Sequence, residues 1–248
     1  MIRTRLDVRF GVLLICGLCG YLFLTTSHRV SAYAEGPPAS RTGAPGEGTC
    51  QGCHGSYPLN DPSGSVTIGG LPDSYVPGGD PLIFTVTVAH DGTNGAGINW
   101  GFEITVLDAN NLFACDRERC DDTLLPTDTT TQSDSGLVGG MRRFYVKQTL
   151  EGTFYNPDGA PCATWSIAWT PPDTDLGPVT FYVAGNAANG DGLFSGDYIF
   201  VNNQTVLGPG AELVAHTVAP SRLRRGPKAV WPYRGWPDRD GWRPMSSH

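Results

Sequence analysis

Two thiols and an imidazole stand within five residues at Cys50-Gln51-Gly52-Cys53-His54, inside the stretch GEGTCQGCHGSY. This is the C-x-x-C-H pattern through which c-type haem is joined to a polypeptide. The spacing has a chemical reason. Two thiols add across the two vinyl groups of one porphyrin edge, and two intervening residues let the backbone curl so that both sulfurs reach it. The next residue then projects under the ring, where its imidazole ligates iron. The reading makes Cys50 and Cys53 the covalent anchors and His54 the metal ligand, with one haem c per chain. Gly52 and Gly55 are expected to keep the backbone close to the macrocycle.

Other chemistries use the same residues. Cys50 and Cys53 are able to close a disulfide. A thioredoxin-like redox pair wants a βαβ context that the Gly-rich flanks do not provide. A zinc site needs a fourth ligand, and no second CxxC or HxxxH follows. The sixth side of a haem iron has three candidate ligands, His90, Met141 and His216, or none. Acidic turns such as Asp121-Asp122 and Asp191 lack the oxygen spacing of a calcium loop. No Ser-His-Asp set, phosphate loop or carboxylate pair suggests catalysis, so an electron carrier or binding module is expected rather than an enzyme.

The elements that must position this motif are strands. Gly (33) and Pro (20) are abundant and charged residues make up only 17% of the 248, a balance that favours an all-β protein. Residues 35–64 carry no apolar periodicity and read as a loop-rich CxxCH segment. Period-two alternation then recurs in SVTIGG, LIFTVTVAH, NWGFEITVLD, RRFYVKQT, ATWSIAWT, VTFYVAGNA and DYIFVNNQTV, with ELVAHTV (212–218) as a further candidate. Such runs, separated by Gly, Pro and Asp, predict a two-sheet β-sandwich over residues 65–219. The Thr-rich and acidic stretch between Leu107 and Arg142 reads as a surface excursion. Within it Cys115 and Cys120 are close enough to staple a loop, which would leave Cys162 free or alternatively paired with one of them.

The ends of the chain bear on location. Arg3, Arg5 and Arg9 precede the apolar run Gly11–Leu24, and Ala32-Tyr33-Ala34 follows. This is the tripartite pattern of a signal peptide over residues 1–34, with removal after Ala34. The run has 14 residues, short of the roughly 20 that a spanning helix needs. No later segment is apolar enough to span, so the mature chain is expected to be exported, to the periplasm or the cell surface. Cys16 and Cys19 leave with the signal, and five cysteines remain. Glu35–Ala219 contains 21 acidic and 6 basic residues, which argues against a nucleic-acid partner. Residues 220–248 form a basic tail with Trp231, Trp236 and Trp242, expected to be disordered or surface-associated. The expected partner is an unidentified redox protein or extracellular ligand.

The order EGPPASRTGAPGEGTCQGCHGS, WGFEITVLD, WSIAWTPP and GPVTFYVAGNAANGDGLFSGDYIF resembles a group of secreted bacterial proteins. These join a CxxCH segment to a Reeler-like (reelin-N-like) β-sandwich. The resemblance spans residues 36–206. It implies an immunoglobulin-like sandwich and a c-type haem site at Cys50, Cys53 and His54. Two departures stand out. Members often carry a histidine in the strand that reads RRFYVKQT here, and the matching position is Gln148. The tail also lacks the apolar sorting anchor found in many members. On these grounds the expected function is a secreted monohaem c-type cytochrome-like protein that transfers single electrons. The alternative is an extracellular binding or adhesion module with a Cys50–Cys53 disulfide and no haem.

Overall fold

The alternating residues of seven expected strands divide cleanly between an apolar and a polar face. In the computed structural model, which describes residues 33–116, 119–154 and 161–210, all seven form. They are β1 (Gly64–Gly69), β2 (Leu82–His90), β3 (Asn99–Asp108), β6 (Met141–Gln148), β7 (Cys162–Trp169), β8 (Val179–Ala188) and β9 (Tyr198–Val206). Two more lie where a surface excursion was expected: β4 (Leu124–Pro126) and β5 (Thr131–Val138). One sheet has the order β1-β2-β7-β4, the other β5-β6-β3-β8-β9. Every pairing between these strands is antiparallel. The protein is an all-β, immunoglobulin-like two-sheet sandwich.

The sheets are held by the residues that alternation selects. Phe84, Val86 and Val88 of β2 and Trp165, Ile167 and Trp169 of β7 face Trp100, Phe102, Ile104 and Val106 of β3 and Phe181 and Val183 of β8. All are at most 1% exposed. Trp165 and Phe102 meet with ring centroids 4.5 Å apart, and Trp169 meets Phe181 edge-on at 5.3 Å. Tryptophan in a core needs a partner for its N–H, and Trp165 donates to the Gly152 carbonyl at 2.8 Å.

The surface-excursion expectation is corrected for a physical reason. TQSDSGLV lacks apolar alternation because β5, at one edge of the five-stranded sheet, contributes no residue to the core. It pairs with β6 through a two-residue turn at Gly139-Gly140. Both glycines have positive φ (58° and 84°), the left-handed geometry that a tight hairpin demands. β4 is three residues long and closes the edge of the other sheet against β7. Within the same stretch Cys115 and Cys120 are disulfide-bonded, and Cys162 is free and exposed.

β3 departs from simple alternation: eight of its ten residues are buried, on both faces. Its outer face is covered by the segment that precedes β1. That segment contains no strand, but it is pinned throughout. Arg41 N–H donates to Glu103 of β3 at 2.6 Å, Lys147 of β6 donates to the Pro37 carbonyl at 2.8 Å, and Asn60 N–H donates to the Ile199 carbonyl of β9 at 3.0 Å. The described residues lie within one compact unit. Residues 1–32 of the expected signal peptide, the 212–218 strand, His216 and the 220–248 tail lie outside the described residues. No helix among the described residues is long and apolar enough to cross a membrane.

Candidate functional site: the CQGCH cleft

The covering segment delivers the cysteines to the outer face of the five-stranded sheet. Thr42 and Thr49 form an antiparallel bridge, and Gly43 N–H donates to the Gly48 carbonyl at 2.9 Å. The loop so closed leads straight into a single 3₁₀ turn over Cys50–Gly52. Thr49 caps that turn, its hydroxyl oxygen accepting from Gln51 N–H at 3.2 Å. Cys53 N–H and His54 N–H both donate to the Cys50 carbonyl, at 3.1 and 3.0 Å. In a helical turn residues three and four apart share a side. Cys50, Cys53 and His54 accordingly line one cleft.

The three side chains differ in environment. Cys50 is buried against Ala184 of β8 and Ile199 of β9. Its thiol is pushed up to about 12, first by desolvation and then by the charge of Glu103. A reactive redox thiol has its pKa lowered, the opposite of the direction in which burial moves Cys50. Cys53 is exposed, and the two sulfurs are unbonded. His54 is held most tightly. Its Nδ1 lies 2.6 Å from Oδ2 of Asp197, a carboxylate only 1% exposed. The other oxygen of Asp197 accepts from Asn189 N–H at 3.0 Å. Phe194 sits edge-on to the imidazole at 5.1 Å, and Gly196 N–H donates to the Ser56 hydroxyl at 2.9 Å. The β8–β9 loop thus grips the motif from the far side.

The effect on the imidazole follows from its chemistry. A carboxylate only accepts, so Nδ1 donates to it, which leaves Nε2 as the nitrogen that faces away from Asp197 and is able to ligate when the imidazole is neutral. A carboxylate behind one nitrogen is the usual device for orienting and strengthening a metal-ligating histidine.

The cleft has two adjoining lobes. The first, of about 460 Å³, holds the thiols beside apolar walls that include Pro37 and Pro38. The second, of about 620 Å³, extends beyond His54 along Asn99, Asn186 and Asp197. Gln148 lines both. It is buried at the end of β6, where the β3–β6 ladder stops, and its Oε1 accepts from Phe102 N–H at 2.9 Å.

Other expected residues stand elsewhere. His90 is buried at the end of β2, its Nδ1 accepting from Gly92 N–H at 3.0 Å and its Nε2 paired with the Ser63 hydroxyl at 3.0 Å. Burial lowers its pKa. Met141 is 54% exposed on the β5–β6 hairpin. Neither lines the cleft. A Cβ at Gly52 would meet no protein atom within 4 Å. Asp191 serves its own turn, accepting from Leu193 N–H at 2.7 Å. Among the described residues, no three His, Cys, Asp or Glu side chains are gathered around one point for a bare metal ion.

The network that fixes the segment is a second finding. The fully buried Glu47 carboxylate accepts from Arg143 at 2.7 Å and Tyr145 at 2.9 Å through one oxygen. Its other oxygen accepts from the Thr42 hydroxyl at 2.6 Å. Glu103 lies close by, with Oε1 unpartnered and its carboxyl pushed up to about 8, chiefly by desolvation.

No family model matches the chain, and no curated protein matches it significantly. Similar solved structures include the human F-spondin reeler domain, at 15% identity and TM-score 0.33, with 59% of this chain and 89% of that one covered. A cohesin module from a Clostridium perfringens family 33 glycoside hydrolase is 11% identical with TM-score 0.37, covering 59% and 96%. AvmM, which catalyses macrocyclization in alchivemycin A biosynthesis, is 16% identical with TM-score 0.39, covering 64% and 97%. All three TM-scores are below 0.5, and the assignment of the fold rests on the sheets themselves.

Proposed function

We propose that the protein is an exported binding module whose outer cleft holds a covalently attached haem c and passes single electrons to or from a partner. The observation that carries this reading is the pairing of His54 Nδ1 with the buried Asp197 carboxylate. A buried carboxylate 2.6 Å from Nδ1 leaves Nε2 as a prepared ligand, one turn of backbone from two cysteines in the same cleft. The donor set suits haem better than a bare ion. Haem asks one imidazole to bind iron and two thiols to bind the porphyrin edge, so the three need to share a cleft rather than converge on one point.

The chain's own residues divide the work. Cys50 and Cys53 would anchor the group, His54 would ligate it, and Asp197 would orient His54. Pro37 and Pro38 would exclude water from one side. When bound, haem c supplies a reversible one-electron iron couple. The chain lies open enough around Cys53 for an edge to meet a partner directly.

A second reading has its own support. Cys50 is buried with an unreactive thiol against Ala184 and Ile199, which is how structural cysteines behave. On that reading the sandwich is a haem-free extracellular binding module with a Cys50–Cys53 disulfide. Expression in a host that matures c-type cytochromes separates the two. Haem retained after denaturation, with a pyridine haemochrome spectrum, supports the first. Colourless protein four hydrogens lighter than the fully reduced mass, two of them lost at Cys115–Cys120, supports the second.

A further inference from the structure

The second lobe of the cleft, beyond His54, shares Gly101, Gln148 and Asn186 with the thiol lobe and adds Asn99, Asn189 and Asp197. Its floor is the outer face of β3 and β8, where Asn99 pairs across from Ala188 and Gly101 from Asn186. The Oδ1 atoms of Asn99 and Asn186 are both buried and have no hydrogen-bond partner. A buried polar group without a partner is costly, so such atoms mark a place where something else accepts the role. Gln148 contributes the complementary group. Its Oε1 is used by Phe102 N–H, which leaves Nε2 as a donor beside the floor. Gly101 keeps that floor open, because a Cβ there would come within 2.8 Å of Gln148 Nε2.

The lobe therefore offers acceptors and a donor side by side in a space of about 620 Å³. Hydroxyl groups satisfy both, since each donates once and accepts twice. The walls select against anions. Asp197 brings a carboxylate, its charge already engaged by His54 and Asn189, and no Lys or Arg is among the residues that line this lobe. Arg41 lines only the first lobe.

We propose that this lobe binds a neutral, hydroxyl-rich ligand, the end of a saccharide chain. The proposal deepens the binding-module reading and does not rest on haem. Vicinal hydroxyls of one sugar would donate to Asn99 and Asn186 and accept from Gln148, in place of the water that otherwise fills the lobe.

The test uses the full mature chain and, beside it, the same chain with Cys50→Ala and Cys53→Ala, which has no means of anchoring haem. Both are applied to an array of neutral gluco-, manno-, galacto- and N-acetylglucosamine oligosaccharides. The strongest hit is then titrated by calorimetry. The expected result is saturable binding by both chains, weakened about tenfold or more in Asn186→Ala and again in Asn99→Ala. Each variant must keep the parent's melting temperature within a few degrees, and Asn186→Asp serves where Asn186→Ala does not. Absence of binding to every oligosaccharide at millimolar concentration overturns the proposal. So does binding that both asparagine variants leave unchanged. Saccharide binding by the thiol-free chain stands whether or not haem is found in the parent.

Discussion

Replacement of Glu47 by alanine tests whether a buried network, rather than the loop's own sequence, holds the CQGCH motif in place. The Glu47 side chain is fully buried and that of Arg143 is 4% exposed. Removing one partner of a buried pair costs about 3–5 kcal/mol, because the remaining charge is left uncompensated. Arg143 still donates to the carbonyls of Pro45 and Asn111, both at 3.0 Å, which places the expected loss near the lower end, about 3 kcal/mol. For a domain of this size that corresponds to a fall in Tm of roughly 6–12 °C. Glu47→Gln keeps the shape and part of the hydrogen bonding, so its cost is about 1–2 kcal/mol. The assay pairs thermal melts with amide hydrogen exchange. Exchange is expected to rise first at Gly43 and Glu47, whose amides donate within the loop to Gly48 and Ala44, while the β2 and β7 core stays protected. A cost for Glu47→Ala below about 1 kcal/mol, with exchange at Gly43 unchanged, would refute the reasoning.

Glu103 gives a pH signature. Its carboxyl is raised in the folded chain from 4.5 to about 8 by burial. Below 4.5 it is protonated whether folded or not, and contributes no slope. Between 4.5 and about 8 the unfolded chain releases a proton that the folded chain keeps, so stability falls as pH rises through this window. Glu103→Gln is expected to flatten that slope in melts across the window, and an unchanged slope would count against it. In haem-free protein with both thiols reduced, iodoacetamide should label Cys53 and Cys162 under native conditions and Cys50 only after unfolding, as peptide mass spectra would show. Native labelling of Cys50 at the same rate would contradict its burial. In haem-loaded protein, Asp197→Asn should raise the midpoint potential by on the order of 60 mV, as expected when a ligating histidine loses an anionic partner. A potentiometric titration that shows no change would remove Asp197 from the site.

The sequence exposed the core and the motif for the same reason: both are local patterns. Alternation in LIFTVTVAH or ATWSIAWT depends only on which face meets the other sheet, so Phe84, Val86, Trp165 and Ile167 were legible. CQGCH was legible because its chemistry needs fixed spacing. What stayed hidden was long-range. Asp197 lies 143 residues from His54, in a loop whose NGDG and SGD read as ordinary turns. Glu47 and Arg143 are 96 apart, and nothing in either neighbourhood signals a buried pair. β5 was hidden because it contributes nothing to the core and so has no apolar face to betray it. β3 carried a faint signal: Glu103 interrupts an otherwise apolar strand, which hints that something covers its outer side.

The most direct measurement is the mass of one tryptic peptide. Cleavage after Arg41 and Arg117 gives a fragment with no internal Lys or Arg that contains Cys50, Cys53 and His54, and reduction frees it from the Cys120 peptide to which Cys115 is disulfide-bonded. From protein made in cells that attach haem to other exported cytochromes, the account predicts that this fragment carries one porphyrin through two thioethers. The same reduced fragment at its unmodified mass would contradict it.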